Sequence, residues 1–279
     1  SEEIRRLAEL LQAPVIAYRT GRGILDSRHY LSHPNPAARK LWPKVDVALA
    51  VGSRLEIPQI NWGVDKNLKI IRIDVDPSAH GRIAMPDLPI TARAEDAMPL
   101  LVSLVEKYNR HRSSRKSEMQ TLKAETNAML AILEPQVSFL RVIREELGED
   151  GIFVEELTQV GYASRQVMPV YKPYTFISTG YQGTLGWGFP TALGVKIAHP
   201  DKPVLAIAGD GGFMFSVQEL ATAVQHQIGL VTIVFNDNAY GNVKRMQQTV
   251  YGNRVIASAV SYTHLRAHET EADLVCRLL

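Results

Sequence analysis

The sequence predicts an α/β protein made of two doubly wound parallel-sheet domains, and three observations carry that reading. Short apolar, branched runs recur with the length of buried parallel strands, as in VLAIA (Val204–Ala208) and LVTIVF (Leu230–Phe235). Helical patterns alternate with these runs. Several runs stop abruptly in small and acidic residues, which is how strands end where an open α/β sheet binds ligands. The 279 residues are enough for two domains of ordinary size.

The elements follow in order. SEEIRRLAELLQ (Ser1–Gln12) reads as an amphipathic helix and PVIAY (Pro14–Tyr18) as a strand before the TGRG turn at Thr20–Gly23. After a polar loop, VDVALAVGSRLE (Val45–Glu56) is a strand ending in Gly52-Ser53-Arg54. KIIRIDVDP (Lys69–Pro77) is closed by Asp74, Asp76 and Pro77, and LPITARA (Leu88–Ala94) is a short strand before a helix over 97–109. NRHRSSRKSEMQ (Asn109–Gln120) is basic and poor in apolar residues, and marks the domain boundary. Without aromatics between its charges it is a solvated linker rather than a nucleic-acid surface. Helices follow over 117–133 and 135–147, with Pro135 as a first helical residue. The second set of strands is Ile152–Glu155, Tyr174–Ile177, Val204–Ala208 and Leu230–Phe235. Between the last two, FMFSVQELATAVQHQIG reads as one helix, ended by Gly229.

Composition narrows the class. A net charge of +2, with 46% hydrophobic and 22% charged residues, is that of a soluble globular protein and points to neither a nucleic-acid nor a membrane partner. No apolar run approaches the roughly 20 residues of a membrane span, and the first helix lacks the apolar core of a signal peptide. One cysteine, Cys276, permits no intrachain disulfide, so a reducing cytoplasm is expected. The chain opens on a helix without an initiator Met, and VSYTHLRAHETEADLVCRLL (Val260–Leu279) reads like translated sequencing adapter. The expectation is a fragment at both ends with a non-native tail over 260–279. That sets aside Cys276 and the His264/His268 pair as functional groups.

The chemistry should lie where strands of the second domain end. STGYQGTLGWG (Ser178–Gly188), GDGG (Gly209–Gly212) and NDNAYGN (Asn236–Asn242) each follow a strand, and in a parallel sheet all three share one edge. Asp210 and Asp237, with carbonyl oxygens nearby, form a hard-oxygen site suited to Mg²⁺ or Ca²⁺. Gly211, Gly212 and the start of the following helix would hold a phosphate by backbone N–H groups. The physical reading is a Mg²⁺–diphosphate site.

These same residues resemble a known family. GDGG followed by FNDNAYG is similar to the thiamine-diphosphate fingerprint, with Asp237 lying 27 residues after Asp210. GYQGTLGWGFPTALG, HPDKPVLAIAGDGGF, QELATAVQH and VFNDNAYGNV, with GSRLE and IRIDVDPSAHGR upstream, are similar to its acetolactate synthase-like branch. The resemblance runs over nearly all of Ser1–Ala259. It implies a central Rossmann-like domain over 1–110, a linker and helix over 111–134, and a truncated thiamine-diphosphate-binding domain over 135–259.

Carried over by position, Asp210 and Asp237 would ligate Mg²⁺ through their carboxylates and Ala239 through its carbonyl. Asp237 stands where Asn is commoner. Gly211 and Gly212 would donate to the diphosphate, Gly209 and Gly241 would belong to the same cofactor site with Tyr240 a candidate for lining its pocket, Leu185 would prop the bent cofactor, and Gly183 and Thr184 would lie beside its aminopyrimidine. Tyr181, Gln182 and Asn242 are further candidates for lining the pocket. His226 reads as a helix cap, and Trp187 and Phe189 as packing residues. Arg54 is a candidate for the ADP part of FAD, with no G-x-G-x-x-G motif beside it.

The implied function is a thiamine-diphosphate- and Mg²⁺-dependent 2-oxo acid decarboxylase/carboligase, a transferase or lyase of branched-chain amino acid biosynthesis. Its parent would be a cytoplasmic homodimer or homotetramer. The family's activating Glu belongs to a separate domain, so no residue here takes that role, Glu155 and Glu156 are assigned to a strand, and the fragment alone should turn over little. The alternatives are a non-carboligating 2-oxo acid or oxalyl-CoA-type decarboxylase and, from another class, a nucleotide-binding regulatory module without catalysis.

Overall fold

The computed structural model describes residues 1–260. Contacts gather the chain into two compact units, Ser1–Ile16 with His29–Ala128, and Ala17–Arg28 with Met129–Leu279. Cys276, His264 and His268, set aside above as functional groups, lie outside the described residues.

In the first unit, α1 (Glu2–Leu11) leads to β1 (Val15–Ile16), which pairs in parallel with β2 (Ser32–His33). Arg5 reaches Glu2 and Glu9 on adjacent turns of α1, which supports the helix on its exposed face. A helix α2 (Asn35–Leu41) precedes the parallel sheet β3 (Val47–Val51), β4 (Lys69–Asp74) and β5 (Leu88–Thr91), in the order β3-β4-β5. α3 (Ala94–Tyr108) and α4 (Lys116–Leu130) complete the unit. Leu7, Ile73, Met98 and Val102 form its core, so one face of the sheet is packed by α1 and α3. His33 is buried. Burial above all, and the charges of Lys123 and Arg115, pull its pKa down to about 4.

The second unit holds α5 (Gln136–Leu147), β6 (Ile152–Val154), α6 (Gln159–Val167), β7 (Phe176–Ile177), α7 (Gly188–Ala198) and β8 (Val204–Gly209). α8 (Asp210–Met214), α9 (Glu219–Gln225), β9 (Val231–Phe235) and α10 (Gly241–Thr249) follow. The strand order is β7-β6-β8-β9 and every pairing is parallel. Alternation along the strands splits the core in two. Phe153, Phe176, Leu205 and Ile207 pack against Leu140, Ile143, Val160 and Ala163 of α5 and α6. Ile152, Val154, Val204 and Ala206 pack against Phe189, Ala192, Leu193 and Ala223 of α7 and α9. Helices therefore cover both faces, and the doubly wound class holds.

Three local features differ from the sequence reading. Pro135 caps α5 rather than opening it. The single helix expected after the GDGG turn is two, because Glu219 N–H bonds to the Ser216 carbonyl and Leu220 N–H to that of Val217, a tight i→i+3 turn between α8 and α9. The TGRG turn belongs by its contacts to the second unit. Buried Arg22 donates to the carbonyls of Ser164 (2.9 Å), Arg165 and Met168 where α6 ends, and its guanidinium stacks 4.9 Å over the Phe176 ring. Gly23, at φ +86°, presses on the Lys172 carbonyl, where a Cβ would lie 2.1 Å from the oxygen. Ser27 and Val170 bond in both directions at 2.8–3.0 Å.

Candidate functional site

Parallel strands present their carboxyl ends together, and the second unit gathers four chain segments there. Glu155 and Glu156 follow β6, Ser178–Gly188 follows β7, Asp210 follows β8, and Asn236–Gly241 follows β9.

Asp210 opens α8 and is only 2% exposed. Its Oδ1 accepts from the Gly211 N–H at 2.8 Å, whereas Oδ2 is buried without a hydrogen-bond partner among the described residues. Burial pushes its pKa up, and the charge of nearby Asp237 adds to that, against the pull of the Gly211, Asn238 and Ala239 N–H groups. Asp237 accepts from the Ala239 N–H at 3.3 Å, and Asn236 accepts from that of Asn238 at 3.1 Å, so side chains shape this turn. The other Asp237 oxygen sits over Gly241, where a Cβ would lie 2.6 Å from it.

The two turns touch. A Cβ on Gly211 would lie 2.5 Å from the Tyr240 ring, so bare backbone is required there. Beyond the β9 turn, the Tyr240 N–H donates to the Ser258 carbonyl (2.8 Å) and the Val260 N–H to that of Asn238 (2.9 Å). Neither bond uses the carbonyl of Ala239, which pairs with Ala259 in an antiparallel bridge. Val260, the first residue of the supposed tail, is thus buried against this turn.

Asp210, Gly211, Gly212, Asp237, Ala239, Tyr240 and Gly241 therefore lie on two adjacent turns. The Gly-rich loop is reached differently. Tyr181, Gln182, Gly183, Thr184 and Leu185 are exposed, with the Gly183 backbone packed on Leu157. Leu185 approaches the GDGG turn, its Cδ2 lying 3.6 Å from where a Cβ on Gly212 would stand. The Asn242 side chain accepts from Arg245 within α10. His226 caps α9, and Trp187 and Phe189 pack in the core. Arg54 lies in the first unit, beyond the carboxyl end of β3, its carbonyl accepting from Arg72 at 2.6 Å.

The sequence reading passed over two residues. β6 ends at Val154, so Glu155 and Glu156 lie beyond the strand, and both are fully buried. Glu155 Oε1 accepts from Arg165 (2.7 and 3.0 Å) and from the Ser178 hydroxyl (2.6 Å). Glu156 Oε1 accepts from the Gly186 N–H, and the N–H groups of Trp187 and Gly188 also face the carboxyl group. Each has a second oxygen without a partner, and burial pushes both pKa values up. Two acidic residues at the end of an apolar strand were the available signal.

Among the described residues no three His, Cys, Asp or Glu side chains converge on one point. The edge instead offers two carboxylates, a backbone carbonyl and bare glycine backbone, a donor set for a hard cation and an anion together.

The C-terminal TPP binding domain model of thiamine pyrophosphate enzymes matches residues 157–271, and the central domain model of the same enzymes matches residues 1–101. This chain belongs to the thiamine pyrophosphate enzymes. The C-terminal match contains both carboxylate turns and continues past Ala259. The chain is 31% identical over 274 residues to the probable acetolactate synthase large subunit of Methanocaldococcus jannaschii, covering 91% of this chain and 46% of that protein. It is 27% identical over 270 residues to the acetolactate synthase isozyme 1 large subunit of Escherichia coli, covering 91% and 47%. A third relative, the acetolactate synthase large subunit of Haemophilus influenzae, is 29% identical over 271 residues, with 91% and 47% covered. The chain spans about half the length of these relatives.

Proposed function

We propose that the second unit holds thiamine diphosphate through Mg²⁺, as part of an acetolactate synthase-like enzyme that decarboxylates a 2-oxo acid and joins the product to a second carbonyl. One observation carries the reading: the buried Asp210 Oδ2, without a hydrogen-bond partner among the described residues, lies within electrostatic reach of Asp237 on the turn after the neighbouring strand. A cation there would relieve both the orphaned oxygen and the repulsion between the two carboxylates. The family match and the names of the relatives support the same cofactor and chemistry.

When bound, the cofactor supplies the carbon nucleophile and the electron sink for loss of CO₂. This chain's residues do the holding. Asp210 and Asp237, with the Ala239 carbonyl, would ligate Mg²⁺, and the N–H groups of Gly212 and, once released from Asp210 Oδ1, of Gly211 would donate to diphosphate oxygens. Leu185 would offer the cofactor an apolar surface, and Gly183 and Thr184 would lie beside its aminopyrimidine. The proton-transfer group of the family comes from a domain of another type, so these residues alone should bind cofactor and turn over little. A 2-oxo acid substrate, a cytoplasmic site of action and a homo-oligomer belong to the same proposal. Among the described residues no helix is long and apolar enough to cross a membrane.

Titration with thiamine diphosphate and Mg²⁺, followed by Trp187 fluorescence, tests the site. The response should be saturable, lost with a chelator and lost in Asp210→Ala. A response that survives both would sink the proposal, and selective binding of ADP would favour a nucleotide module instead. Product analysis of the complete enzyme with pyruvate separates carboligation, which yields acetolactate, from simple decarboxylation.

A further inference from the structure

We propose that Glu156 is a positioning residue, a buried latch that ties the Gly-rich loop to the GDGG turn and so sets where Leu185 stands over the cofactor site. The inference rests on the reading of that site given above, and its own support is geometric. Glu156 Oε1 accepts from the Gly186 N–H, which fixes the loop one residue beyond Leu185. The same oxygen lies 2.8 Å from where a Cβ on Gly212 would stand, and Leu185 Cδ2 lies 3.6 Å from that point. One carboxyl group therefore touches the loop and the turn together. The surroundings make room for it at two glycines: a Cβ on Gly188 would come within 2.9 Å of Oε2, as one on Gly212 would of Oε1. Gly186, at φ +76°, holds a conformation that favours glycine, and a Cβ there would meet Phe215 at 2.6 Å.

The arrangement is costly for a purely structural contact. Glu156 is fully buried and faces only backbone N–H groups, those of Gly186, Trp187 and Gly188, with no basic side chain hydrogen-bonded to it among the described residues. Its neighbour Glu155 has Arg165 and Ser178. An apolar side chain of similar size would fill the space without desolvating a carboxyl group. What an apolar residue cannot do is accept the Gly186 N–H and hold the loop down on Gly212.

The test compares the whole chain with Glu156→Asp, which withdraws the carboxyl group by one methylene, and Glu156→Gln, which keeps an acceptor at the same reach. Without cofactor, amide hydrogen exchange over residues 185–188 should be about tenfold faster or more in E156D, and within about threefold of the native rate in E156Q. With saturating Mg²⁺, the Kd for thiamine diphosphate should rise about tenfold or more in E156D and stay within about threefold in E156Q. Rescue by Gln separates the latch from mere filling of space. Native-like exchange in E156D, or equal loss in E156Q and E156D, overturns the proposal. Should E156D fail to fold, Gly212→Ala, which drives a methyl group into Oε1, repeats the exchange measurement with the same criterion. If native protein does not bind thiamine diphosphate, the cofactor reading falls, and the exchange result alone decides for or against the latch.

Discussion

Replacing Asp210 with Asn should make the cofactor-free protein more stable while abolishing its response to cofactor. Asn has the shape of Asp, so its side-chain oxygen keeps the 2.8 Å bond from the Gly211 N–H. The change removes a carboxylate that is 2% exposed, has one oxygen without a partner, and is raised in pKa by burial and by Asp237. The amide nitrogen that replaces Oδ2 is itself a buried polar group, so the gain is the excess cost of a charged over a neutral unpaired group, about 1 kcal/mol. Each kcal/mol is worth roughly 2–4 °C of Tm at 150–250 residues, so the free variant should melt a few degrees higher. With thiamine diphosphate and Mg²⁺ at 100 times Kd, native protein should gain about 2.7 kcal/mol, and the variant nothing. The order of melting temperatures should then converge or reverse, as when a site is built at the expense of stability. Thermal scans of both proteins, with and without ligands and at one protein concentration, read all four values. A free variant that melts lower than native, or one that keeps the ligand-induced rise, refutes the reasoning.

Three further outcomes follow from other residues. Gly241→Ala places a Cβ within 2.6 Å of an Asp237 oxygen, so Mg²⁺-dependent binding of thiamine diphosphate by calorimetry should weaken about tenfold or more. Arg22→Met strips the donors from three carbonyls at the end of α6, and urea denaturation should show a loss of about 2–4 kcal/mol. His33 has a folded pKa of about 4 against an ordinary 6.5, so between these values the unfolded chain holds a proton that the native one does not, and stability falls as pH drops through this window. The fall should be about 3 kcal/mol from pH 7 to pH 4. Denaturant midpoints of native and His33→Gln protein at the two pH values would show that slope shrinking in the variant.

What the sequence made legible was set by local chemistry. The branched runs that became β3, β4, β8 and β9 need only length and apolarity to be read, and Gly209–Gly212 announces its turn by composition. Asp210 and Asp237 were visible because each ends a strand, and parallel pairing of β8 with β9 brings strand ends together. Glu156 was not visible, since its role depends on Gly186, Gly188 and Gly212 arriving from distant positions. The break between α8 and α9 also escaped, because the apolar spacing of FMFSVQELATAVQ continues across a turn that only the backbone bonds reveal. Arg22 in TGRG read as turn punctuation, whereas its partners lie more than 140 residues later.

That distance has a kinetic meaning. The strap Ala17–Arg28 is made early in synthesis, yet every partner named for it, from Ser164 to Phe176, emerges after the whole of the first unit. Closing so long a loop is entropically slow and forfeits the usual order in which an upstream domain matures before a downstream one begins. A nascent chain halted near residue 128 should present Arg22 and Gly23 with nothing to dock on. Equally, the second unit excised from Met129 onward would lack a piece of its own wall. Recombination between relatives at that seam should therefore succeed only where the donor's strap travels with the donor's second unit.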